Sequence, residues 1–468
     1  MAHVPSPGPS PRPLTLHGLS VEGVNQCVHC GLCLAYCPTF SELGTEMDSP
    51  RGRIFLVKSL AEGRVGLSDP TVEHLSLCLD CRACETVCPA GVPYGRLIEA
   101  AKAEIERQRP GSLGRRLFRW LNFGLLLGYP RVLAAAAAGL RFYQRSGLQA
   151  IVRRSGLVRL LPGTLPAWEA LLPSLPSAAE RAPLPPLTAA VGARRARVAL
   201  LTGCVQSVVF GAHNRATARV LARNGCDVLA PPQGCCGALH AHGGDHARAV
   251  AMAKRTIEAF EAVDADAVIV NTSGCGAHMK AYGALLADEP AWAERAARFA
   301  ATVQDVAEFL AREPLRGPLQ PVAMRVTYHD PCHVVHGQKI RRQPRALLGQ
   351  IPGLQVIELP ESDWCCGSAG IYNLTQPEMA DRLLRRKVRN VAATGAEAVV
   401  TANPGCILQI QAGLRAQGQE RPVLHLVELL DRAYSLEGAS PAEAASTAPS
   451  KTSPLAPDRG GTGGARTP

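Results

Sequence analysis

The distribution of apolar and polar positions divides the chain into stretches of different kind. Residues 1–16 and 437–468 are rich in Pro, Ala, Ser and Gly with too little apolar content to order themselves, so both ends are predicted to be disordered. Within 17–106, Asp48-Ser49-Pro50-Arg51 reads as an N-cap followed by proline at the first helical position, and Ile54, Leu56, Val57 and Leu60 follow at helical spacing. Residues 107–194 form a connector: two apolar runs, Leu121–Tyr129 and Val132–Leu140, are separated by Pro130-Arg131, and the stretch from Leu161 to about Arg194 is proline rich and reads as a linker. From residue 195 short apolar strands alternate with helical stretches, and the series occurs twice. Val198–Gly203, Asp227–Pro232 and Ala267–Cys275 in 195–316 match Met324–Asp330, Leu354–Pro360 and Ala398–Cys406 in 317–436. This alternation predicts βαβ units with one parallel sheet per half. The expected fold is α+β and multidomain, with an α-helical N-terminal module before two tandem α/β units.

Composition narrows the class. At 468 residues and 47% hydrophobic the chain is long enough for two or three cored domains, and 17 cysteines without a secretory signal point to a reducing compartment. The start, MAHVPSPGPSPRPL, has no apolar h-region, so the cytoplasm is expected. The net charge of +11 is concentrated in one place: Arg107 to Arg159 holds eleven arginines and no acidic residue. The apolar runs there are far shorter than the roughly 20 residues that span a bilayer. Basic flanks beside Phe118, Trp120, Phe142 and Tyr143 fit an anionic membrane surface or an acidic partner as well as a solvated connector. The stretch matches no groove-reading fold, so nucleic acid is not an expected partner.

The chemistry lies in the cysteines. Cys27, Cys30, Cys33 and Cys37 precede Pro38, and Cys78, Cys81, Cys84 and Cys88 precede Pro89, so CxxCxxCxxxCP occurs twice, 40 residues apart. In this bacterial ferredoxin arrangement three thiolates cap three corners of one cubane cluster and the fourth crosses to the other. The pattern assigns Cys27, Cys30, Cys33 and Cys88 to one [4Fe-4S] centre and Cys78, Cys81, Cys84 and Cys37 to the second, making 17–106 a helical 2x[4Fe-4S] ferredoxin domain. Structural zinc uses two separated CxxC pairs, and a disulfide framework belongs to small secreted domains; neither fits.

The two α/β units carry a second set. Cys204, Cys235-Cys236-Gly237 and Cys275 recur at matching intervals as Cys332, Cys365-Cys366-Gly367 and Cys406. Each follows a strand, at the sheet edge where open α/β folds place ligands. Thiolates converging there suit a soft-metal or redox site, whereas one isolated pair would equally be buried apolar cysteine. His329, Asp330, His333 and His336 surround Cys332, and His240, His242, Asp245 and His246 follow the first CCG. His333 and His336 are singled out as candidate proton carriers, since a two-electron acceptor also needs protons.

Tandem ferredoxin motifs, a helical connector and paired CCG units together resemble the iron-sulfur subunit family of bacterial glycolate oxidase. The resemblance covers about residues 20–433 and rests on CVHCGLCLAYCPTF, DSPRGRI, CLDCRACETVCPAGVPYGRLIE, YHDPCHVVHGQ and WCCGSAG. It implies an electron-transfer subunit whose partner FAD-binding subunits oxidise glycolate to glyoxylate, with electrons passing on to a quinone or other acceptor. The expected location is cytoplasmic, with peripheral contact on the inner face of the membrane. No GxGxxG follows a strand and opens a helix, consistent with FAD on another chain. Related subunits serve lactate utilisation, anaerobic glycerol-3-phosphate dehydrogenase and heterodisulfide reductase, so a lactate or glycerol-3-phosphate role, a thiol/disulfide reductase and a scaffold with structural clusters remain alternatives. In the heterodisulfide reductase family each CCG unit ends in CxxC and five cysteines hold a noncubane cluster. Here Thr272 and Asn403 stand at the fifth position, leaving four thiolates per unit and the further cluster open.

Overall fold

Ser49 caps the helix Pro50–Ala61 as its sequence predicts, its hydroxyl accepting from Gly52 N at 3.0 Å. Gly52 is required at the next turn, because a Cβ there would lie 2.0 Å from the Glu46 carbonyl. The computed structural model describes residues 21–435 except Pro110, 157–168 and 170–171. The expectations for 1–16, 437–468 and the start of the proline-rich stretch therefore lie outside the described residues. Among the described residues none before Leu187 is in a strand, so the N-terminal module is helical, with helices Pro50–Ala61, Asp69–Ser76 and Tyr94–Gln108 closing on Val24, Ile54, Val57, Leu60, Leu75, Leu97 and Ile98. The periodic set of the sequence supplies that core: Ile54, Val57 and Leu60 are buried.

The connector is helical and turns sharply. Helices Leu113–Arg119 and Pro130–Arg145 flank a wide turn, Trp120–Leu126, and the apolar stretches on either side of Pro130 meet at 107°. Among the described residues no single helix is long and apolar enough to cross a membrane, although that bent pair passes by length and composition. Phe123 is completely buried and its carbonyl accepts from His240 Nε2 at 2.9 Å, while Arg119 Nη1 donates to Gly243 O at 2.8 Å. The connector is thus pinned at its middle, whereas Leu113, Leu117, Trp120 and Phe142 remain exposed beside the arginines.

The duplicated half is built on two sheets. Strands β1 (Leu187–Thr188), β2 (Ala196–Leu201), β3 (Cys226–Leu229), β4 (Ala267–Val270) and β5 (Val303–Asp305) run in the order β1-β3-β2-β4-β5. Strands β6 (Met324–Tyr328), β7 (Leu354–Ile357), β8 (Ala398–Thr401) and β9 (Val423–His425) run in the order β7-β6-β8-β9. All pairings are parallel except β1 with β3. The three predicted strands of each half are therefore present, and each sheet gains a fourth, β5 or β9, that the apolar pattern did not single out. β1 corrects the reading of the proline-rich stretch as linker throughout: Leu187 and Thr188 pair with Leu229 and Val228, which extends the first sheet.

The two sheets share one hydrophobic core. Val198, Leu221, Val306 and Phe309 from the first unit and Val326, Leu347, Leu424 and Leu430 from the second belong to the same buried cluster. The exchange is reciprocal, since the helix after β9 (Leu426–Ser435) packs on Gly211–Arg223, and the helix after β5 (Val306–Leu310) packs on Gln343–Leu348. At the sheet edges Ser273 N donates to Ala402 O at 3.3 Å, and His425 Nε2 donates to Asn271 O at 2.9 Å. The C-terminal ends of the central strands of both sheets consequently face one another.

Candidate functional site

The two ferredoxin-type runs fold into matching loops. His29 and Gly31 in the first, and Asp80 and Arg82 in the second, occupy the left-handed region with φ of 54°, 83°, 53° and 61°. Three of the four are not glycine, a conformation that costs energy and persists where the surroundings impose it. Each loop wraps its cysteines around a small hollow. One is lined by Cys27, Cys30, Cys33 and Cys88 with Arg51, and the other by Cys37, Cys78 and Cys81 with Thr39 and Arg53; Cys84 lies between and borders both. Cys88 thus lies with the first three cysteines and Cys37 with the second set.

The two hollows differ in exposure. Cys30 is exposed, next to the exposed Val28 and Leu32, whereas Cys37, Cys78, Cys81 and Cys84 are all buried. Burial pushes the Cys33 thiol up to about 11, and Cys81 and Cys84 well above the ordinary thiol range. Thiols so disfavoured as free anions need a cation to become ligands. Arg53, 1% exposed, supplies fixed positive charge beside the inner group and is itself held by Thr39 Oγ1 at 3.0 Å, His74 O at 2.7 Å and Asp48 at 3.3 Å. Asp80 N and Tyr94 Oη each donate to Cys78 Sγ at 3.4 Å, contacts of the kind that set the potential of an iron-sulfur centre.

The inner group abuts the duplicated half. Leu79 and Cys81 share a buried cluster with Cys365, against which Cys332 packs, and Tyr372 Oη donates to Leu77 O at 2.9 Å. His242 Nδ1 lies 2.9 Å from Asp80 Oδ2 and 3.0 Å from Glu99, which also pairs with Arg82 at 3.2 Å. Against the cost of burial, Asp80 and Glu99 push the pKa of His242 up to about 9.

Between the two sheets lies a cavity of about 420 Å³ lined by all eight CCG-set cysteines: Cys204, Cys235, Cys236 and Cys275 from the first unit, and Cys332, Cys365, Cys366 and Cys406 from the second. Strand order explains the convergence. With the first strand of each unit central and its second and third on opposite sides, the chain diverges between the first and third strands, and ligands bind outside that switch point. Cys204 and Cys332 follow the first strands β2 and β6, and Cys275 and Cys406 follow β4 and β8, in the first turns of the helices Ser273–Lys280 and Pro404–Ala416. The glycine of each CCG is structural. Gly237 and Gly367 have φ of 90° and 86°, and a Cβ would lie 3.1 Å from Ala249 O and 2.6 Å from Ala380 O.

Within each unit the thiols neighbour and perturb one another in the same order, Cys204–Cys235–Cys236–Cys275 and Cys332–Cys365–Cys366–Cys406. In the second unit Cys332 and Cys366 are held well below the ordinary thiol range, first by hydrogen bonds from Cys365. Cys365 and Cys406 are pushed well above it by the bonds they give to those neighbours and by burial. The donor set therefore fits a soft metal or an iron-sulfur group in each unit. At the fifth position Asn403 Nδ2 donates to Cys406 Sγ at 3.3 Å, and the Thr272 hydroxyl donates to Asn271 Oδ1 at 3.3 Å.

The histidines separate by placement. His333 lines the cavity with Nδ1 3.5 Å from Cys332 Sγ and its ring 4.9 Å from that of His242, and its Nε2 has no hydrogen-bond partner. His336 lies away from the cavity lining: Thr86 Oγ1 is 3.0 Å from its Nδ1 and Asp363 O is 3.2 Å from its Nε2, which ties the ferredoxin-type module to the second unit. His329 also lines the cavity, within 4.8 Å of Cys366 and Cys406. Sequence reasoning placed it near Cys332 without choosing it; its position one residue past a strand end was the available signal.

Comparison with known proteins accords with this arrangement. Residues 23–92 match the 4Fe-4S dicluster domain, residues 198–280 and 326–411 each match the cysteine-rich domain, and residues 114–172 match the linker region of the glycolate oxidase iron-sulfur subunit. The probable glycolate oxidase iron-sulfur subunit of Bacillus subtilis (strain 168) is 42% identical over 412 residues, 86% of this chain and 92% of its own. The glycolate oxidase iron-sulfur subunit of Escherichia coli (strain K12) is 34% identical over 421 residues, 88% of this chain and 94% of its own. Lactate utilization protein A of Shouchella clausii (strain KSM-K16) is 31% identical over 236 residues, 50% of this chain and 98% of its own.

Proposed function

The chain belongs to the family of glycolate oxidase iron-sulfur subunits, and we propose that it carries electrons from a partner FAD-binding subunit, which oxidises glycolate to glyoxylate, to a quinone or another acceptor. The observation that carries this reading is a graded series of three cysteine sites: a group with an exposed thiol at Cys30, a buried group behind it, and the eight-cysteine cavity beyond Cys81. When bound, [4Fe-4S] clusters supply one-electron carriage, which lets electrons leave a two-electron flavin singly.

Cys27, Cys30, Cys33 and Cys88 hold the outer centre, where Val28 and Leu32 offer an apolar rim to the partner. Cys37, Cys78, Cys81 and Cys84 hold the inner one, shielded from water, with Arg53 offsetting its negative charge. Cys204, Cys235, Cys236, Cys275, Cys332, Cys365, Cys366 and Cys406 form the acceptor side. His333 is placed there to hold the proton that accompanies an electron to the acceptor, and His336 to keep the two modules in register. The exposed Leu113, Leu117, Trp120 and Phe142, among the connector arginines, would rest on the inner face of the cytoplasmic membrane, where a quinone is reached.

The test is the complex with its FAD-binding subunits, assayed for glycolate-dependent reduction of a quinone. Cys236→Ala and Cys366→Ala should each abolish reduction while the EPR signals of the two ferredoxin-type centres persist. Full turnover in both variants would overturn the acceptor-side assignment.

A further inference from the structure

The two cysteine-rich units are related by strand register, and this allows their sites to be compared position by position. Val198 of β2 pairs with Ala267 of β4, and Val326 of β6 pairs with Ala398 of β8. Counting on from these partners, Cys204 corresponds to Cys332, and Leu201 corresponds to His329. Leu201 is the last residue of β2, 1% exposed and part of the apolar core of its unit. His329 is equally buried, and apart from the Cys366 thiol that it faces its ring has no hydrogen-bond partner. A buried imidazole left without an ordinary donor or acceptor is costly, and an ion shared with that thiol would satisfy it. One nitrogen lies within 4.8 Å of both Cys366 Sγ and Cys406 Sγ, close enough for a single ion to touch all three.

A second difference has the same sense. Gly237 contacts Ala249 and Gly367 contacts Ala380, so the long helix that follows each CCG is in equivalent register in the two units, and Thr256 in the first corresponds to Lys387 in the second. Lys387 is 1% exposed, its ammonium donates to Glu361 O, and its charge acts on Cys365 and Cys366. The second site thus has an additional neutral donor and a buried cation where the first has leucine and threonine.

We infer that His329 is a ligand to the metal centre of the second cysteine-rich unit, making that centre a mixed imidazole–thiolate site while the first is held by thiolates alone. The inference rests on the reading of the CCG-set cysteines as metal ligands. An imidazole adds no negative charge to the site, unlike a fifth thiolate, and the buried Lys387 ammonium, which the first unit lacks, favours the reduced form of the second centre. The second unit is therefore the high-potential end of the chain and the place where electrons collect, and Cys332 and Cys365, which pack against the inner ferredoxin loop, are where they arrive.

The test uses the full chain prepared anaerobically, with iron and acid-labile sulfide counted and pulsed EPR recorded after stepwise reduction, with and without 15N-histidine. The expected result is iron beyond the roughly eight atoms of two cubane clusters, together with a nitrogen coupling that responds to 15N-histidine and is lost in His329→Leu. His329→Cys should keep the iron, lose the nitrogen coupling and lower the midpoint potential of one centre. Extra iron with no histidine-derived coupling, or a coupling that survives His329→Leu, overturns the inference alone. Only about eight irons, unchanged by Cys366→Ala, overturns the premise and the inference with it.

Discussion

His242 and Asp80 join, at 2.9 Å between Nδ1 and Oδ2, the helix that follows the first CCG to the loop of the inner ferredoxin-type group. Glu99 and Arg82 complete a set of two anions and two cations in which Asp80 is buried and the others are partly so. Because His242 has its pKa raised to about 9 from 6.5, its contribution is fully present below pH 6.5 and is lost as pH rises through 9. Against its own burial, the hydrogen bond from His242 holds Glu99 well below the usual carboxylate range, so Glu99 retains its charge throughout that window. Thermal melts between pH 6.5 and 10 should show stability falling by about 1.4 kcal/mol per pH unit from pH 6.5 and levelling off near pH 9, a decline that Asp80→Asn shortens because Glu99 alone then holds the imidazolium, along with a loss of about 3 kcal/mol at pH 7 from the broken pair. A flat profile in the unsubstituted protein would refute this.

On the acid side the sign reverses. Burial, with the neighbouring His213, holds His425 down to about 3, and burial does the same for His278. His425 is fixed in one neutral form, donating from Nε2 to Asn271 O and accepting at Nδ1 from Val427 N at 3.2 Å. Since the unfolded chain takes up these protons near pH 6.5, stability should fall below that pH by about 1.4 kcal/mol per pH unit for each histidine. His425→Gln should reduce the slope by one such step, read from denaturant melts between pH 6.5 and 4.5.

The crossed hollows make a pairwise prediction. Cys30→Ala and Cys88→Ala should remove the same EPR signal and about four irons, and Cys81→Ala and Cys37→Ala should remove the other. Loss of one signal in Cys30→Ala and of the other in Cys88→Ala would show that the fourth cysteine does not cross.

At Gly367, alanine would meet both an unfavourable φ of 86° and the Ala380 carbonyl at 2.6 Å. Gly367→Ala should cost about 2–3 kcal/mol in a denaturant melt. At Gly395, where φ is 64° and nothing lies within 4 Å of a Cβ, the same substitution should cost about 1 kcal/mol.

The connector is testable by sedimentation with vesicles. The chain should bind phosphatidylglycerol vesicles in low salt, and the pair Trp120→Ala with Phe142→Ala should weaken binding several-fold while leaving iron content unchanged. Equal binding to uncharged phosphatidylcholine vesicles would remove the role assigned to the arginines.

Much of this architecture was readable in the residues for identifiable reasons. The cysteine spacings are local, and their loops close over a few residues, so the grouping of Cys88 with Cys27, Cys30 and Cys33 in one hollow follows the pattern. Strands β4 and β8 are almost wholly apolar and buried, as strands of a parallel sheet covered on both faces are, and β2, β3, β6 and β7 keep apolar residues around one or two polar ones. The three-residue β5, with Gln304 and Asp305, and β9, with His425, are too short and too polar to stand out, and β1 sits among prolines and is tied down only by pairing with β3. The approach of the two sets of four cysteines across one cavity depends on strand order and on the shared core, long-range properties with no local signature. The same holds for His336, whose role is set by Thr86, 250 residues away.

That shared core also bears on how the chain is made. Since Val306 and Phe309 find their cover on the second half and Leu424 and Leu430 theirs on the first, neither half completes its interior alone. A nascent chain that has left the ribosome only as far as β5 still exposes half of that interface, so the walls of the cavity close after translation has reached the last helix. Any metal group the cavity takes would therefore arrive late, whereas the two N-terminal loops, all of whose cysteines lie within residues 27–88, close without the rest of the chain.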